Sequence, residues 1–156
     1  MLLEDINIEK ILPQAQPFIM IDRVVDFKKG ESLTAVKNVT ANEWFFKNNP
    51  CQVPHLPETL LIEAAAQTGV LFARLSSAGT ASEDYFFVLG RIKAEIEGRA
   101  GIGDQIFLKT SGFKMMKDNG FIDVDILLVD KPIARVNIFY SLMGRTAHGR
   151  HSRQKK

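Results

Sequence analysis

Cysteine is almost missing from this chain of 156 residues, which contains only Cys51. A single cysteine excludes a disulfide within the chain and fits a reducing compartment, so we expect a cytoplasmic protein. Patterns of metal ligands are also lacking, because the sequence has no Cys-x-x-Cys pair and no His/Cys cluster at metal-ligand spacing. We therefore expect no metal site, and no sequence pattern indicates a cofactor.

Long uncharged apolar runs are absent as well. No apolar stretch reaches roughly 18 residues without a charge, so we expect no transmembrane helix. The first ten residues, MLLEDINIEK, contain acidic side chains and lack a basic start, which argues against a signal peptide. These absences predict a protein without a membrane role.

The chain lacks a large excess of positive or negative charge except at its C-terminal end. The formal net charge is +2, but residues 144–156 hold five Lys/Arg and no acidic residue. Residues 1–143 therefore carry 15 basic against 18 acidic residues, a net charge of −3. We interpret residues 1–143 as a single domain and residues 144–156 as a flexible basic tail. A mildly acidic body without a basic and aromatic surface pattern does not favour nucleic-acid binding.

Runs rich in β-branched and aromatic residues predict six β-strands. The pair Asn119-Gly120 lies between the fourth and the fifth run and indicates a hairpin. Short helices are predicted over Glu4–Leu12 and over Thr40–Phe46. The strands are expected at residues 18–27, 31–40, 85–98, 104–117, 121–129 and 132–143.

One long helix is predicted to begin at Pro57, which suits a first helical turn, and to end between residues 76 and 79. Its sequence, PETLLIEAAAQTGVLFARL, is apolar on almost every side and contains Glu63. A buried carboxylate is costly unless it is paired, hydrogen-bonded or protonated. Gln67 follows four residues later and Thr59 precedes by four, so the three side chains share one face. This polar stripe is the first candidate for chemistry.

Six strands and one long helix specify an α+β fold in which an antiparallel sheet wraps the helix. One sheet covers only one side of a helix that is apolar all round. A second sheet from a partner subunit is the simplest cover for the other side, so we expect a symmetric dimer.

The order of several segments resembles a known family. ILPQAQPFIMIDRV, KNVTANEWFF and PETLLIEAAAQ, followed by GRIKAEI, GDQIFL and PIARVNIFYSLM, are similar to the hotdog-fold 3-hydroxyacyl-[acyl-carrier-protein] dehydratases. The resemblance extends from about Ile11 to Met143. It implies a hotdog fold whose dimers form a continuous sheet around two central helices and often assemble into hexamers.

The resemblance also implies a reaction. The acyl chain, on a phosphopantetheine arm, enters a tunnel at the dimer interface. A histidine of one subunit removes the α-proton, and a glutamate on the central helix of the other subunit helps the β-hydroxyl leave as water. The backbone N–H at the start of that helix polarises the thioester carbonyl.

Carried over to this sequence, the family's glutamate is Glu63, and Gln67 matches the glutamine that follows it. The family's Gly-His-Phe-Pro segment aligns without gaps on residues 48–51, so Asn49 stands in place of the catalytic histidine. An amide has no titrating nitrogen and cannot act as a general base. Asn49 could instead orient a substrate or bind the thioester oxygen, or it could be an ordinary turn residue.

Two further positions differ from the family pattern, and a third residue could replace the missing catalytic histidine. Glu58 replaces the glycine after Pro57 and brings a negative charge beside the expected thioester oxygen. Gln14 replaces the histidine of an early Pro-His-x-x-Pro-Phe pattern. His55 is the histidine nearest to the helix start and could replace the missing base.

Three functions fit these observations. The first is a dehydratase of fatty-acid or polyene and polyketide biosynthesis that acts on acyl-carrier-protein or CoA thioesters. The second is a half-site subunit that contributes Glu63 and pairs with a paralogue that supplies the histidine. The third is a hotdog thioesterase in which Glu63 is the base or the nucleophile. The partners that follow are a thioester substrate and either a homodimer, a hexamer or a heteromer.

Overall fold

A computed structural model describes residues 3–47, 54–77, 85–116 and 118–144 of the chain. Asn49 and Cys51 lie outside these residues, and so does the predicted tail beyond Gly144. The predictions made for them therefore stay predictions.

Six strands form one antiparallel sheet, as predicted. Neighbouring strands follow the order β1-β2-β4-β5-β6-β3, so β1 and β3 are the two edges. The described residues form two α-helices, α1 at Ile8–Ile11 and α2 at Glu58–Ser77. The strands are β1 Arg23–Lys28, β2 Ser32–Asn38, β3 Tyr85–Ile96, β4 Gln105–Met116, β5 Asn119–Leu128 and β6 Lys131–Gly144.

Helix α2 packs across the inner face of the sheet, in contact with all strands from β2 to β6. Alternate residues of β5 and β6 point to this face, where Ile122 and Ile138 lie against Gly69 of the helix. Leu71 and Phe72 of the helix are fully buried. Burial of such a side chain contributes about 1.5–3 kcal/mol, so this contact holds the helix in place.

The opposite face of α2 is less well covered. Ile62, Ala66 and Val70 are only partly buried, although they pack at the edge of the core. The segment 12–20, which precedes β1, packs against α2 beside this face, because Gln67 of the helix is hydrogen-bonded to its residues 18 and 20. This face is apolar surface for which a partner subunit was expected.

The N-terminal helix is shorter than predicted. A 3-10 turn at Leu3–Asp5 precedes α1, and Asn7 has an extended backbone between them. The Asn7 side chain accepts a hydrogen bond from the backbone N–H of Lys10 at 3.1 Å. Asn7 therefore caps α1 and divides the predicted Glu4–Leu12 helix.

The helix predicted over Thr40–Phe46 is wrong, since these residues form turns. Glu43 N–H bonds to Thr40 and Phe46 N–H to Glu43, which are three-residue turn contacts rather than helical ones. Phe45 enters the core, and Glu43 turns toward Lys37. Tertiary contacts thus override a weak capping signal.

The hairpin between β4 and β5 is confirmed, but the Asn-Gly pair lies in the strand. Met116 is opposite Asn119, so Asn119 and Gly120 belong to β5. A Cβ atom at Gly120 would lie 2.3 Å from Cζ of Tyr140. The glycine is required for this ring to pack across it.

Candidate functional site

Glu63 lies in the second turn of α2 and is half-buried. Its Oε1 accepts hydrogen bonds from Gln67 Nε2 at 2.8 Å and from Gln14 Nε2 at 3.2 Å. Within the described residues, no hydrogen bond reaches Oε2 and no Lys, Arg or His pairs with this carboxylate. Two neutral amides therefore orient the carboxylate and leave one oxygen for another partner.

Gln67 is fully buried and connects α2 to the segment before β1. Its Nε2 also donates to the carbonyl oxygen of Phe18 at 2.8 Å, and its Oε1 accepts from the N–H of Met20 at 2.8 Å. Rotating the amide by half a turn would place its oxygen against two acceptors, so one orientation is fixed. The spacing of four residues predicts the contact with Glu63, but it could not reveal the contacts to residues 18 and 20.

Gln14 reaches Glu63 from the same segment. Its Nε2 faces the carboxylate, while its Oε1 is buried and has no hydrogen-bond partner among the described residues. An unpaired buried oxygen costs about 1–3 kcal/mol. Sequence reasoning missed this contact, which joins residues 49 positions apart. The signal was present, because Gln14 is one of the positions where the chain departs from the family pattern.

The start of α2 holds three more of the predicted residues. The Pro57 carbonyl accepts from the N–H groups of Leu60 and Leu61 at 2.9 and 3.0 Å, so Pro57 lies just outside the helix. Glu58 Oε1 lies 3.6 Å from Arg99 Nε, in an ion pair that is largely exposed. Thr59 is exposed and makes none of the hydrogen bonds to Glu63 found in the described residues. The negative charge of Glu58 is thus partly compensated at the surface.

His55 precedes α2 and is half-buried, and its backbone bridges to Gly101. Its Nδ1 lies 3.2 Å from the carbonyl oxygen of Leu56. The tautomer that donates this bond leaves Nε2 unprotonated, which is the form that can accept a proton. In the described part of the chain, His55 is not hydrogen-bonded to Glu63.

A cluster of charges around the buried Lys37 lies beside the turns at residues 40–47. Lys37 on β2 is only 4% exposed and pairs with Glu43, and its Nζ lies 3.8 Å from Asp22 Oδ1. Asp22 Oδ2 also accepts from the backbone and side-chain amides of Asn38, at 2.6 and 2.8 Å. This network fixes the turns at residues 40–47.

Exposed ion pairs cover the outer face of the sheet. The Arg135 guanidinium donates to Asp125 at 2.6 and 3.1 Å and holds the pKa of that carboxyl below its usual range. A hydrogen bond from Lys93 lowers the pKa of Glu95 in the same way. These pKa shifts arise from surface pairs, one between β5 and β6 and one within β3. They do not mark the candidate site.

No helix among the described residues is long and apolar enough to cross a membrane. Within the same residues, no group of three or more His, Cys, Asp and Glu side chains is arranged to hold a metal ion.

Similarity to known sequences extends over most of the chain. A family model described as the FabA-like domain matches residues 12–128. The chain is 42% identical over 121 residues to a 3-hydroxyacyl-[acyl-carrier-protein] dehydratase FabZ of Shewanella denitrificans, and the match covers 77% of each chain. It is 36% identical over 123 residues to a FabZ of Neisseria meningitidis, covering 76% of this chain and 83% of that one.

Comparison with solved structures supports the fold. The dehydratase heterocomplex ApeI:P from Xenorhabdus doucetiae gives a TM-score of 0.76 at 12% identity, over 90% of this chain and 93% of that one. A thioesterase from Haemophilus influenzae gives a TM-score of 0.69 at 15% identity, over 96% and 95% of the two chains. The α+β hotdog arrangement predicted from the sequence is therefore confirmed.

Proposed function

The chain belongs to the FabA-like family and, within it, to the FabZ dehydratases, and from this premise we propose that it acts on 3-hydroxyacyl thioesters. The carrier is an acyl carrier protein or CoA, and the product is the 2-enoyl thioester with one molecule of water. This reaction belongs to fatty-acid biosynthesis or to polyene and polyketide biosynthesis. We further propose that it takes place in the cytoplasm, without a metal or cofactor.

The observation that carries this proposal is the arrangement around Glu63. Gln14 and Gln67 both bind Oε1, and Oε2 has no protein partner in the described residues. A carboxylic acid oriented in this way can present the Oε2 proton to the β-hydroxyl of a substrate. Placing the acid in the reacting geometry before the substrate arrives is the main contribution that such a scaffold makes.

The reaction needs a base as well as an acid. The base takes the α-proton, the electron pair of that C–H bond forms the new double bond, and the β-hydroxyl leaves as water with the proton from Glu63. Exchange with solvent then restores both groups. N–H groups at the start of α2 have no acceptor within the helix and can bind the thioester oxygen during this step.

The base is the point at which this chain departs from its family. Asn49, at the family's histidine position, cannot take a proton near neutral pH. We propose that the base comes from a histidine-bearing paralogue, so that each chain supplies half of a shared site. The likeness to a dehydratase heterocomplex supports this arrangement, as does the retention of the amide-held Glu63.

The surfaces for such a partner are available on α2 and the sheet. The partly exposed residues Ile62, Ala66 and Val70 form an apolar stripe along the helix, and β3 is an edge strand with unpaired backbone groups. A partner subunit that covered both would form the dimer expected from the sequence, as a homodimer or a heteromer. Further assembly into a hexamer is compatible with the same unit.

The decisive experiment compares the purified chain alone with the chain co-expressed with a histidine-bearing paralogue. Both are given a 3-hydroxyacyl carrier protein, and enoyl product is measured by mass spectrometry. We expect this chain to form enoyl product only in the mixture. We expect Glu63→Gln in this chain to abolish the activity of the site that combines Glu63 with the histidine of the paralogue. A paralogue whose histidine is replaced serves as the matched control.

Other outcomes of this experiment identify the alternatives. Activity of the chain alone that is lost in His55→Asn would make His55 the base and would contradict the half-site. Hydrolysis of the thioester without enoyl product, lost in Glu63→Gln, would identify a thioesterase in which Glu63 activates water. Absence of both reactions in every combination, across several acyl lengths, would overturn the proposed function.

A further inference from the structure

Gln14 has a contact pattern that its own hydrogen-bonding needs do not explain. Its amide nitrogen donates to Glu63 Oε1 at 3.2 Å, while its amide oxygen is buried without a partner among the described residues. The opposite orientation would place the amide oxygen against the carboxylate. The charge of Glu63 therefore decides how Gln14 lies, even though one buried oxygen stays unpaired.

The segment that carries Gln14 is fixed to α2 at several points. Leu12 is buried in the core on one side of Gln14, and Met20 on the other. Gln67 accepts from the N–H of Met20 and donates to the carbonyl of Phe18, each at 2.8 Å. Gln67 thus holds the segment against the helix, and the segment in turn holds Gln14 against Glu63.

We propose that Gln14 is a positioning residue for the reaction of Glu63. It fixes Oε1 together with Gln67 and leaves Oε2 for the substrate. An amide keeps this role at every pH at which the protein is folded, because it does not titrate. This inference rests on the proposed function for its kinetic test, and it has a second test that does not.

The kinetic test uses Gln14→Met, which has similar length and no donor, and Gln14→His, which restores a donor. Gln16→Met is the matched control, because Gln16 is exposed two residues away and, among the described residues, its side chain bonds to Glu9 alone, at 3.4 Å. We expect kcat of Gln14→Met to fall about tenfold, with KM within about twofold, since one of the two hydrogen bonds that orient Oε1 is lost. Gln14→His should recover most of the loss. Equal kcat in Gln14→Met and Gln16→Met would overturn the proposal.

The second test compares crystal structures of the unaltered chain, Gln14→Met and Gln16→Met, and needs no turnover. Because Gln14 and Gln67 both donate to Oε1 of Glu63, we expect the Glu63 side chain to change its conformation in Gln14→Met and to keep it in Gln16→Met. An unchanged Glu63 conformation in Gln14→Met would overturn the proposal. A displaced Glu63 together with no dehydration in any combination would overturn the proposed function and leave the positioning by Gln14 standing.

Discussion

Two half-buried carboxylates lie 20 residues apart in this chain, and the protein compensates their charges in different ways. Glu43 pairs with Lys37, a lysine that is only 4% exposed, and Asp22 lies on the other side of the same ammonium group. Glu63 receives only amide N–H groups, from Gln14 and Gln67. The first carboxylate has a cation, whereas the second has none among the described residues.

The difference indicates that Glu43 serves the structure and that Glu63 serves the reaction. A buried ion pair is held by its partner, and removing either member leaves an uncompensated charge. A carboxylate held by neutral amides is oriented equally well, but no fixed cation opposes a change in its protonation state. We therefore expect substitutions at the Lys37 cluster to act on folding and those at Glu63 to act on the reaction.

The largest expected effect tests the chemical side of this comparison. Glu63→Gln should lower dehydration by about 10²–10³-fold in the mixed assembly, because general acid catalysis is lost. The free energy of unfolding should change by less than about 1 kcal/mol, since the new amide oxygen can still accept from Gln67. Product formation and urea unfolding measure the two quantities.

Glu95→Gln is the control for this substitution, because Glu95 is an exposed carboxylate on the outer face of the sheet. It should leave the rate unchanged. A Glu63→Gln variant that unfolds much more readily while keeping its rate would mean that Glu63 is a structural charge like Glu43, and the comparison would fail.

The next effect tests the structural side. Lys37→Met should lower the free energy of unfolding by about 3 kcal/mol, because Glu43 and Asp22 lose their cation. Lys37→Met with Glu43→Gln should recover part of that loss, since the second change removes the unpaired charge. Urea unfolding measures both variants. Lys93→Met, at an exposed pair, should show no comparable loss, and an equal loss there would contradict the prediction.

Sequence patterns predict most of this fold because they are local. Strands with alternating apolar residues and a helix of 20 residues have strong periodic signals, and both were found near their predicted positions. The helix predicted over Thr40–Phe46 was wrong because tertiary contacts decide the structure of this segment. The contact of Glu43 with Lys37 and the burial of Phe45 depend on the whole fold, which a local capping signal does not contain.

In the candidate site too, local contacts could be predicted from the sequence and long-range contacts could not. Helical spacing places Glu63 and Gln67 on one face, as predicted, and their side chains are hydrogen-bonded there. The contact between Glu63 and Gln14 joins distant parts of the sequence, so no periodicity could predict it. Thr59 has the spacing of a partner but is exposed, because spacing along a helix fixes the face of a side chain and not its hydrogen bonds.

Gln67 connects the two sides of the comparison, and its substitution should have an intermediate effect. Gln67→Leu leaves the Met20 N–H and the Phe18 carbonyl without their partner in a buried position. We expect a loss of about 2 kcal/mol in the free energy of unfolding, because unpaired buried groups are costly and the added apolar volume offsets only part of the cost. Activity should fall as well, since Glu63 loses its shorter hydrogen bond.

Urea unfolding and the enoyl-product assay, applied to the same Gln67→Leu preparation, test both parts. Gln16→Leu is the control, as an exposed glutamine in the segment that Gln67 holds. A loss of activity without any loss of stability would show that Gln67 acts only on Glu63 and does not anchor residues 18–20.

The smallest effect concerns a carboxylate that is paired at the surface. The Arg135 hydrogen bond lowers the pKa of Asp125 in the folded protein. The stabilisation from this pair is therefore complete above the unfolded pKa of about 3.9, and it is lost as the pH falls through the lower folded pKa. The difference in Tm between the unaltered chain and Asp125→Asn should be small at pH 7, because an exposed pair is screened by solvent.

Thermal unfolding at several pH values distinguishes this surface pair from the buried cluster at Lys37. The small Tm difference for Asp125→Asn should shrink progressively below about pH 4 and also decrease with added salt, since screening acts on exposed charges. A difference as large as that of Lys37→Met, or one that stays constant from pH 7 to pH 3, would contradict the prediction. It would mean that burial of the cation does not account for the contrast between the Lys37 cluster and the surface, and that a buried cation beside Glu43 does not distinguish this carboxylate from the amide-held Glu63.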